Sequence, residues 1–138
     1  MIGTSYHNMD AKGRLAMPAK LRESLGDSFY ITIARNHSLV VYSCEDWREK
    51  EEKYSQLSSG KRAAISSLFT SAVYCEPDSQ GRILLSPELR AHANLIKEVA
   101  VLGAGTQVEL WEADAWRAEV ERQLSSGSVF DAMEELGF

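Results

Sequence analysis

The sequence carries one chemically suggestive motif twice. Residues 10–22 are DAKGRLAMPAKLR and residues 78–90 are DSQGRILLSPELR, so Asp, Gly, Arg and the closing Leu-Arg pair recur at an offset of 68. In each copy a carboxylate and a guanidinium flank a glycine turn, close enough to form an ion pair. Such a pair fixes the direction of the arginine, whose planar donors suit phosphate and the edge of guanine.

Basic residues surround the first copy of the motif. Lys12 adds a mobile positive charge inside the turn, and Lys20 and Arg22 add more on the helix that we expect to follow. In the second copy the neutral Gln80 stands in place of Lys12. The alternative to nucleic-acid contact is a structural role in which the Asp–Arg pair only stabilises the turn. The residues alone leave both interpretations open.

Other catalytic or metal-binding patterns are missing from the sequence. It has no G-x-S-x-G, H-E-x-x-H, P-loop or G-x-G-x-x-G motif, and residues 103–106 (GAGT) are better interpreted as a hairpin turn. The three histidines are scattered, and Cys44 and Cys75 are isolated from each other and from any zinc-like spacing. We therefore expect a protein that is not an enzyme and has no metal site and no cofactor.

The charge is distributed unevenly along the 138 residues. The net charge is −5, but residues 1–43 carry +2 and residues 91–138 carry −6, so the first motif need not lie in a negative field. There is no run of 18 apolar residues and no basic segment followed by an apolar stretch near residue 1. These features predict no membrane contact, no secretory signal and free thiols in a reducing cytoplasm.

The similarity between the two halves extends beyond the motif. Residues 40–47 (VVYSCEDW) correspond to 108–116 (VELWEADAW), and residues 56–61 (QLSSGK) correspond to 123–128 (QLSSGS). We interpret the chain as two tandem copies, residues 1–70 and 71–138. A copy of this size would bury only a thin core alone. We therefore expect an α+β fold with a mostly β core and peripheral helices, in which interlocked hairpins are related by a pseudo-two-fold axis.

Each copy is predicted to have the same order of elements. A strand leads into the glycine turn, a second strand follows, and a short helix begins near Pro18 or Pro87 and ends at Gly26 or Asn94 in the αL conformation. A hairpin and a helical end complete the copy. Capping signals are Ser43 with Asp46, which places Trp47 inward, and Ser128 with Asp131. Two apolar stripes at helical spacing are expected in the core or an interface. The first is formed by residues 65, 68, 69 and 72, and the second by residues 129, 132, 133 and 136.

Taken together, these residues resemble the MraZ family, which belongs to the SpoVT/AbrB-like, swapped-hairpin class. The resemblance rests on residues 7–22 (HNMDAKGRLAMPAKLR), on residues 78–90, and on the aromatic-acidic-Trp steps, and it covers nearly the whole chain. It implies a tandem double-psi, swapped-hairpin, AbrB-like barrel. The family usually has Pro at the position of Ser86, although Pro87 is retained, so the resemblance implies a looser strand-to-helix step in the second copy.

The resemblance also implies a function. Proteins of this family are bacterial transcriptional regulators that bind short direct repeats of double-stranded DNA upstream of the cell-division and cell-wall gene cluster. They are cytoplasmic, associate with the nucleoid and form closed homo-oligomeric rings. Carried over to this chain, the DNA contacts would be Lys12, Arg14, Arg82 and Lys20, and the motif residues that shape the turns would be Asp10, Gly13, Asp78 and Gly81.

A protein-interaction module is the rival hypothesis. Antitoxins share the swapped hairpin and bind a partner protein through an exposed apolar face. Such antitoxins commonly combine one hairpin copy with a disordered arm, whereas this chain has a second copy of full length. The sequence therefore favours the DNA-binding regulator.

Overall fold

The computed structural model describes residues 2–105 and 107–138. The strands in this part of the chain are β1 (Ile2–Asn8), β2 (Arg14–Ala16), β3 (Phe29–Ala34), β4 (Ser38–Ser43), β5 (Val73–Cys75), β6 (Arg82–Leu84), β7 (Glu98–Ala104) and β8 (Val108–Glu112). The helices are α1 (Ala19–Leu25), α2 (Cys44–Ser55), α3 (Ser59–Thr70), α4 (Pro87–His92), α5 (Ala113–Ser125) and α6 (Ser128–Leu136). The predicted α+β class is confirmed.

The strands of the two halves pair with each other. One sheet has six antiparallel strands in the order β1-β7-β8-β4-β3-β5, and a second sheet is the β2–β6 ribbon. The first strand of each half joins the other half: β1 pairs with β7, and β5 pairs with β3. Within the described ranges the strands thus form two separate sheets, and the closed barrel that the resemblance implies remains a proposal.

The strand register matches corresponding positions of the two halves. In the ribbon Leu15 lies opposite Ile83, which follows it at the offset of the repeated motif. In the larger sheet β4 pairs with β8, the corresponding strand of the second half, and Val40 lies opposite Glu109. The β2–β6 ribbon needs a strand from each half, whereas the larger sheet joins the β3–β4 and β7–β8 hairpins, each formed within one half.

The six-stranded sheet separates two layers. Strand residues alternate between its faces, so Leu39 and Val41 of β4 face the core that also contains Leu15 and Ile83 of the ribbon. Helices α1 and α4 contribute to the same core. On the opposite face Trp47 of α2 stacks on aromatic rings of β3 and β4. The ribbon is therefore held on one face of the sheet, and α2, α3 and α5 cover the other.

Most of the predicted helix signals are confirmed, with three local corrections. Ser43 caps α2 by accepting from the Asp46 N–H at 3.1 Å, and Asn94 adopts a left-handed φ of 54°. Gly26 also has a positive φ, but its ψ of −171° is extended, so the αL prediction there is wrong. Ala72 lies beyond α3, which ends at Thr70.

The third correction concerns the start of α6. Ser128 does not cap this helix but is its first residue, and the cap position is Gly127, which has no side-chain bond to offer. Gly127 has a φ of 77°, and this left-handed conformation turns the chain directly from α5 into α6. Residues 103–104 of the predicted GAGT turn lie in β7, and residue 106 is outside the described ranges.

Candidate nucleic-acid interface

The first D-x-x-G-R turn is closed by a network around Asp10. One carboxylate oxygen accepts from the backbone N–H groups of Lys12 and Arg14, at 3.0 and 2.9 Å. The other oxygen accepts from Arg14 Nε at 2.7 Å. Gly13, with a φ of 87°, donates its N–H to the Asp10 carbonyl. The aspartate thus closes the turn and fixes the arginine at the same time.

The second turn repeats this geometry. Asp78 accepts from the backbone N–H groups of Gln80 and Arg82, both at 2.9 Å, and from Arg82 Nε at 3.0 Å. Gly81 has a φ of 76° and donates to the Asp78 carbonyl. The predicted pairing of Asp and Arg across a glycine turn is therefore present in both copies.

Both aspartates are stabilised in their ionised form. The backbone N–H of Arg14 is the largest cause that lowers the pKa of Asp10 below its ordinary value, and the Arg82 N–H does the same for Asp78. Each carboxylate stays charged at neutral pH and keeps its arginine in place. The network uses Nε only, and within the described ranges neither arginine donates a hydrogen bond from its Nη groups.

The outward ends of these arginines lie on one face of the ribbon. Leu15 and Ile83 point into the core, whereas Ala16 and Leu84 are exposed and Arg14 and Arg82 are half-exposed. Arg14 lies opposite Leu84, and Arg82 lies opposite Ala16, so the two arginines are diagonal to each other. The side chains of Arg14 and Arg82 are 37% and 32% exposed, so part of each side chain is open to solvent.

Two further arginines connect the copies, and their role was not predicted from the sequence. Arg22 Nε donates to the Met17 carbonyl at 3.1 Å, and its guanidinium lies against Gly81 of the other copy. A Cβ on Gly81 would lie only 2.9 Å from Cζ of Arg22. Each copy's turn therefore needs glycine for its positive φ, and a Cβ there would also displace the guanidinium of the other copy's arginine.

The reciprocal contact has the same geometry. Arg90 Nε donates to the Leu85 carbonyl at 3.2 Å, and a Cβ on Gly13 would lie 2.9 Å from Cζ of Arg90. The recurring Leu-Arg pair that closes each motif was the available sequence signal. Four guanidinium groups thus lie around the ribbon, two from each copy.

The two copies contribute different charges around the ribbon. Lys12 and Lys20 of the first copy are exposed, and the corresponding positions of the second copy are Gln80 and Glu88. The Glu88 carboxylate accepts from the Ser71 hydroxyl at 3.1 Å. The first copy therefore contributes more positive charge, but not at one end of the ribbon, because α1 lies beside the second turn, where Arg22 contacts Gly81. The structure brings Lys12 to the same turn as Arg14 and leaves Lys20 on the neighbouring helix α1.

The sequence is similar to one family of known proteins along nearly its whole length. The family model described as "MraZ protein, putative antitoxin-like" matches residues 1–66 and 68–136. The chain belongs to the MraZ family. "Transcriptional regulator MraZ" of Alkaliphilus metalliredigens is 41% identical over 140 residues, covering 99% of this chain and 98% of that protein. The same-named protein of Caldicellulosiruptor saccharolyticus is 40% identical over 141 residues, covering 99% of each chain.

Membership of the MraZ family bears on the position of Ser86. The resemblance implied a proline at this position, and a looser strand-to-helix step was expected there. The Ser86 hydroxyl instead accepts from the Leu89 N–H at 3.2 Å and caps α4. Pro18, the equivalent in the first copy, makes no such bond. The cap supplies an anchor that proline does not, and the Arg82 turn keeps the geometry of the Arg14 turn.

Other reactive groups of this MraZ-family protein do not form a site in the described ranges. Neither cysteine is in a disulfide, and burial raises the pKa of Cys75 to about 11, so its thiol is protonated at neutral pH. The rings of His37 and His92 lie 5.8 Å apart near the tip of the β3–β4 hairpin. No described group of three His, Cys, Asp or Glu side chains could hold a metal ion. Likewise, no described helix is long and apolar enough to cross a membrane.

Proposed function

We propose that this protein is a transcriptional regulator that binds double-stranded promoter DNA with the outer face of the β2–β6 ribbon. The observation that carries the proposal is the pair of arginines on that face, each held through Nε by an ionised aspartate and about one-third exposed. The major groove admits a two-stranded ribbon, and an arginine fork fits the O6 and N7 acceptors of guanine. The names of the relatives support the same function.

The finer architecture belongs to this proposal. Residues 1–70 and 71–138 would be two SpoVT/AbrB-like copies, interlocked by exchange of their first strands into one pseudo-two-fold, swapped-hairpin barrel. Support comes from the two segments of the family match and from the pairing of β1 with β7 and of β5 with β3. In this arrangement the ribbon is a composite surface, because each copy supplies one strand and one Asp–Arg turn.

The proposed target is a set of short direct repeats upstream of the cell-division and cell-wall gene cluster, bound in the cytoplasm at the nucleoid. One subunit offers few cations to DNA, and its net charge is −5. A closed ring of subunits would place several ribbons on successive repeats. Because binding of the second ribbon is then intramolecular, the affinity of the ring for the repeats would greatly exceed the affinity of one ribbon for DNA.

Helix α6 offers a surface for ring assembly. Its side chains Phe130, Met133 and Leu136 are 56%, 40% and 70% exposed, although they form the apolar face of an amphipathic helix. In the first copy the equivalent helix α3 instead packs on α2, where Phe69 stacks on Tyr54 at 4.1 Å. Of the predicted stripes, the first has Phe69 packed on α2 but Ile65 41% exposed, and the second has Met133 and Leu136 exposed. Phe130 lies outside the predicted stripe.

A groove on the first copy complements this helix. It has a volume of about 290 Å³ and is lined by Tyr42, Tyr54, Leu57, Ile65, Leu68 and Phe69, with Lys50 and Lys53. Helix α6 carries acidic residues and no Lys or Arg. Charge and apolarity thus match between α6 of one subunit and the groove of the next. Because the two surfaces differ, the contact is head-to-tail, which is the geometry that generates rings.

We expect Phe130→Asp to break this assembly. A buried apolar anchor would become a charge that faces an apolar groove. Light scattering after size exclusion should show a large mass for the unaltered protein and the protomer mass of 15.4 kDa for the variant. Ile96→Asp is the control, because Ile96 is 85% exposed and lies outside both surfaces. An unchanged mass for Phe130→Asp would refute the α6 contact.

We expect Lys12→Ala to lower the salt dependence of DNA binding. A lost phosphate contact changes the slope of log K against log salt concentration by about 0.9. Gln80→Ala is the matched control, because Gln80 occupies the same turn position in the second copy without a charge. Fluorescence anisotropy at several salt concentrations gives both slopes. Equal slopes for the two variants would remove Lys12 from the interface.

The antitoxin-like alternative is favoured by the wording of the family description and by the uncovered face of α6. In that case a different protein, rather than a second subunit, would cover α6. A protein with no affinity for the upstream DNA that forms a complex of fixed stoichiometry with one other protein, lost in Phe130→Asp, would support this alternative.

A further inference from the structure

Leu84 is an exposed leucine on the proposed DNA-binding face. Its surface is 60% exposed, although its neighbours in the chain, Ile83 and Leu85, are buried in the core. The strand alternation turns Leu84 to the same side as the two arginines. Its counterpart in the first copy is Ala16, so the feature is confined to one end of the ribbon.

The register places Leu84 directly opposite Arg14. The Met17 N–H donates to the Gly81 carbonyl and the Leu85 N–H donates to the Gly13 carbonyl, both at 2.9 Å. Because hydrogen-bonded pairs alternate along an antiparallel ladder, the intervening Arg14–Leu84 pair belongs to the non-hydrogen-bonded class. Side chains of such a pair are close, with Cβ atoms about 5 Å apart.

The chemistry of the major groove supplies a partner for this leucine. Thymine is the base that carries a methyl group on its major-groove edge, and guanine presents the two acceptors that suit arginine. Successive bases of one strand rise by about 3.4 Å. An arginine and a leucine about 5 Å apart can therefore contact two neighbouring base pairs at once.

We propose that Leu84 is a specificity-determining residue that contacts the methyl group of a thymine next to the guanine bound by Arg14. The inference rests on the proposed function and names the base contact that distinguishes the two ends of the ribbon. At the other end Arg82 lies opposite Ala16, whose single methyl is too short to make the same contact. The pseudo-symmetric ribbon thus recognises its DNA site in one orientation.

The experiment combines one protein variant with DNA duplexes that each lack a single thymine methyl group. Affinities of the unaltered protein and of Leu84→Ala are measured for a duplex of the upstream region and for duplexes with one thymine at a time replaced by deoxyuridine. For the unaltered protein, loss of the contacted methyl should weaken binding about fourfold at one position of each repeat. Leu84→Ala should bind the thymine duplex at least as weakly as the unaltered protein binds the deoxyuridine duplex. Its affinity should not fall further when deoxyuridine replaces the thymine at that position.

The outcomes separate the inference from the proposed function. If Arg14→Ala weakens binding while deoxyuridine and Leu84→Ala have no effect, the leucine contact is refuted and the function stands. The contact is also refuted if Leu84→Ala weakens binding but stays as sensitive to deoxyuridine as the unaltered protein. If neither the unaltered protein nor Arg14→Ala retards the upstream duplex, the proposed function fails first. Circular dichroism confirms that Leu84→Ala is folded.

Discussion

Arg14→Ala is expected to weaken binding to the upstream repeats by about 1–3 kcal/mol, the usual cost of losing an arginine that contacts a base edge. The reason lies in the Asp10–Arg14 pair, in which Nε is bound at 2.7 Å and the arginine side chain is 37% exposed. Asp10 holds the fork before DNA arrives, so little side-chain entropy is lost on binding. Fluorescence anisotropy at one fixed salt concentration measures the loss.

Two companion variants make this result specific. Arg14→Lys retains the charge but not the planar fork, so it should lose nearly as much affinity as Arg14→Ala if the contact is bidentate. Arg48→Ala removes the same charge from the exposed surface of α2, on the other side of the sheet, and should bind as the unaltered protein does. Retardation of the upstream DNA by Arg14→Ala at unchanged concentrations would exclude Arg14 from the interface.

The sequence was sufficient to predict the local chemistry of the turns. An Asp and an Arg separated by four residues across a glycine can adopt few geometries, and both pairs formed as expected. The Ser43 cap is also a local signal, and it was confirmed. These features depend on residues within one turn or one strand, where spacing alone determines which groups meet.

The partner of each strand was harder to predict. The motif strands β2 and β6 have three residues each, too few for an alternating pattern to specify a register. Their pairing depends on Leu15 and Ile83, which meet across the chain to seal one core. The thin core of a single copy indicated that the halves must interlock, but not which strands are exchanged.

The arginines that close the motif show a second limit. In the sequence, Arg22 and Arg90 were recognisable only as positive charges and as part of the recurring Leu-Arg pair. In the structure each lies against a glycine of the other copy. A contact of this kind depends on the docking of two segments far apart in the chain. The same reason explains why Leu84 did not stand out, because its importance comes from its position opposite Arg14.

Leu15→Ala should destabilise the folded protein by about 2–5 kcal/mol, the range found when a leucine is truncated in a well-packed core. Leu15 is fully buried and lies opposite Ile83, so the cavity would form where the ribbon meets the sheet. Ile83→Ala should cost a similar amount, because it removes the corresponding side chain of the second copy. Urea unfolding at one protomer concentration measures both losses, since assembly would make stability depend on concentration.

Leu84→Ala is the matched control for this pair. It removes the same atoms from the neighbouring position of β6, but its side chain faces outward, so its free energy of unfolding should change by no more than about 0.5 kcal/mol. The contrast separates the two faces of one ribbon: the inner face stabilises the interlocked copies, and the outer face is free to bind. If Leu15→Ala costs no more than Leu84→Ala, the ribbon is not anchored through Leu15, and Arg14 has no rigid support.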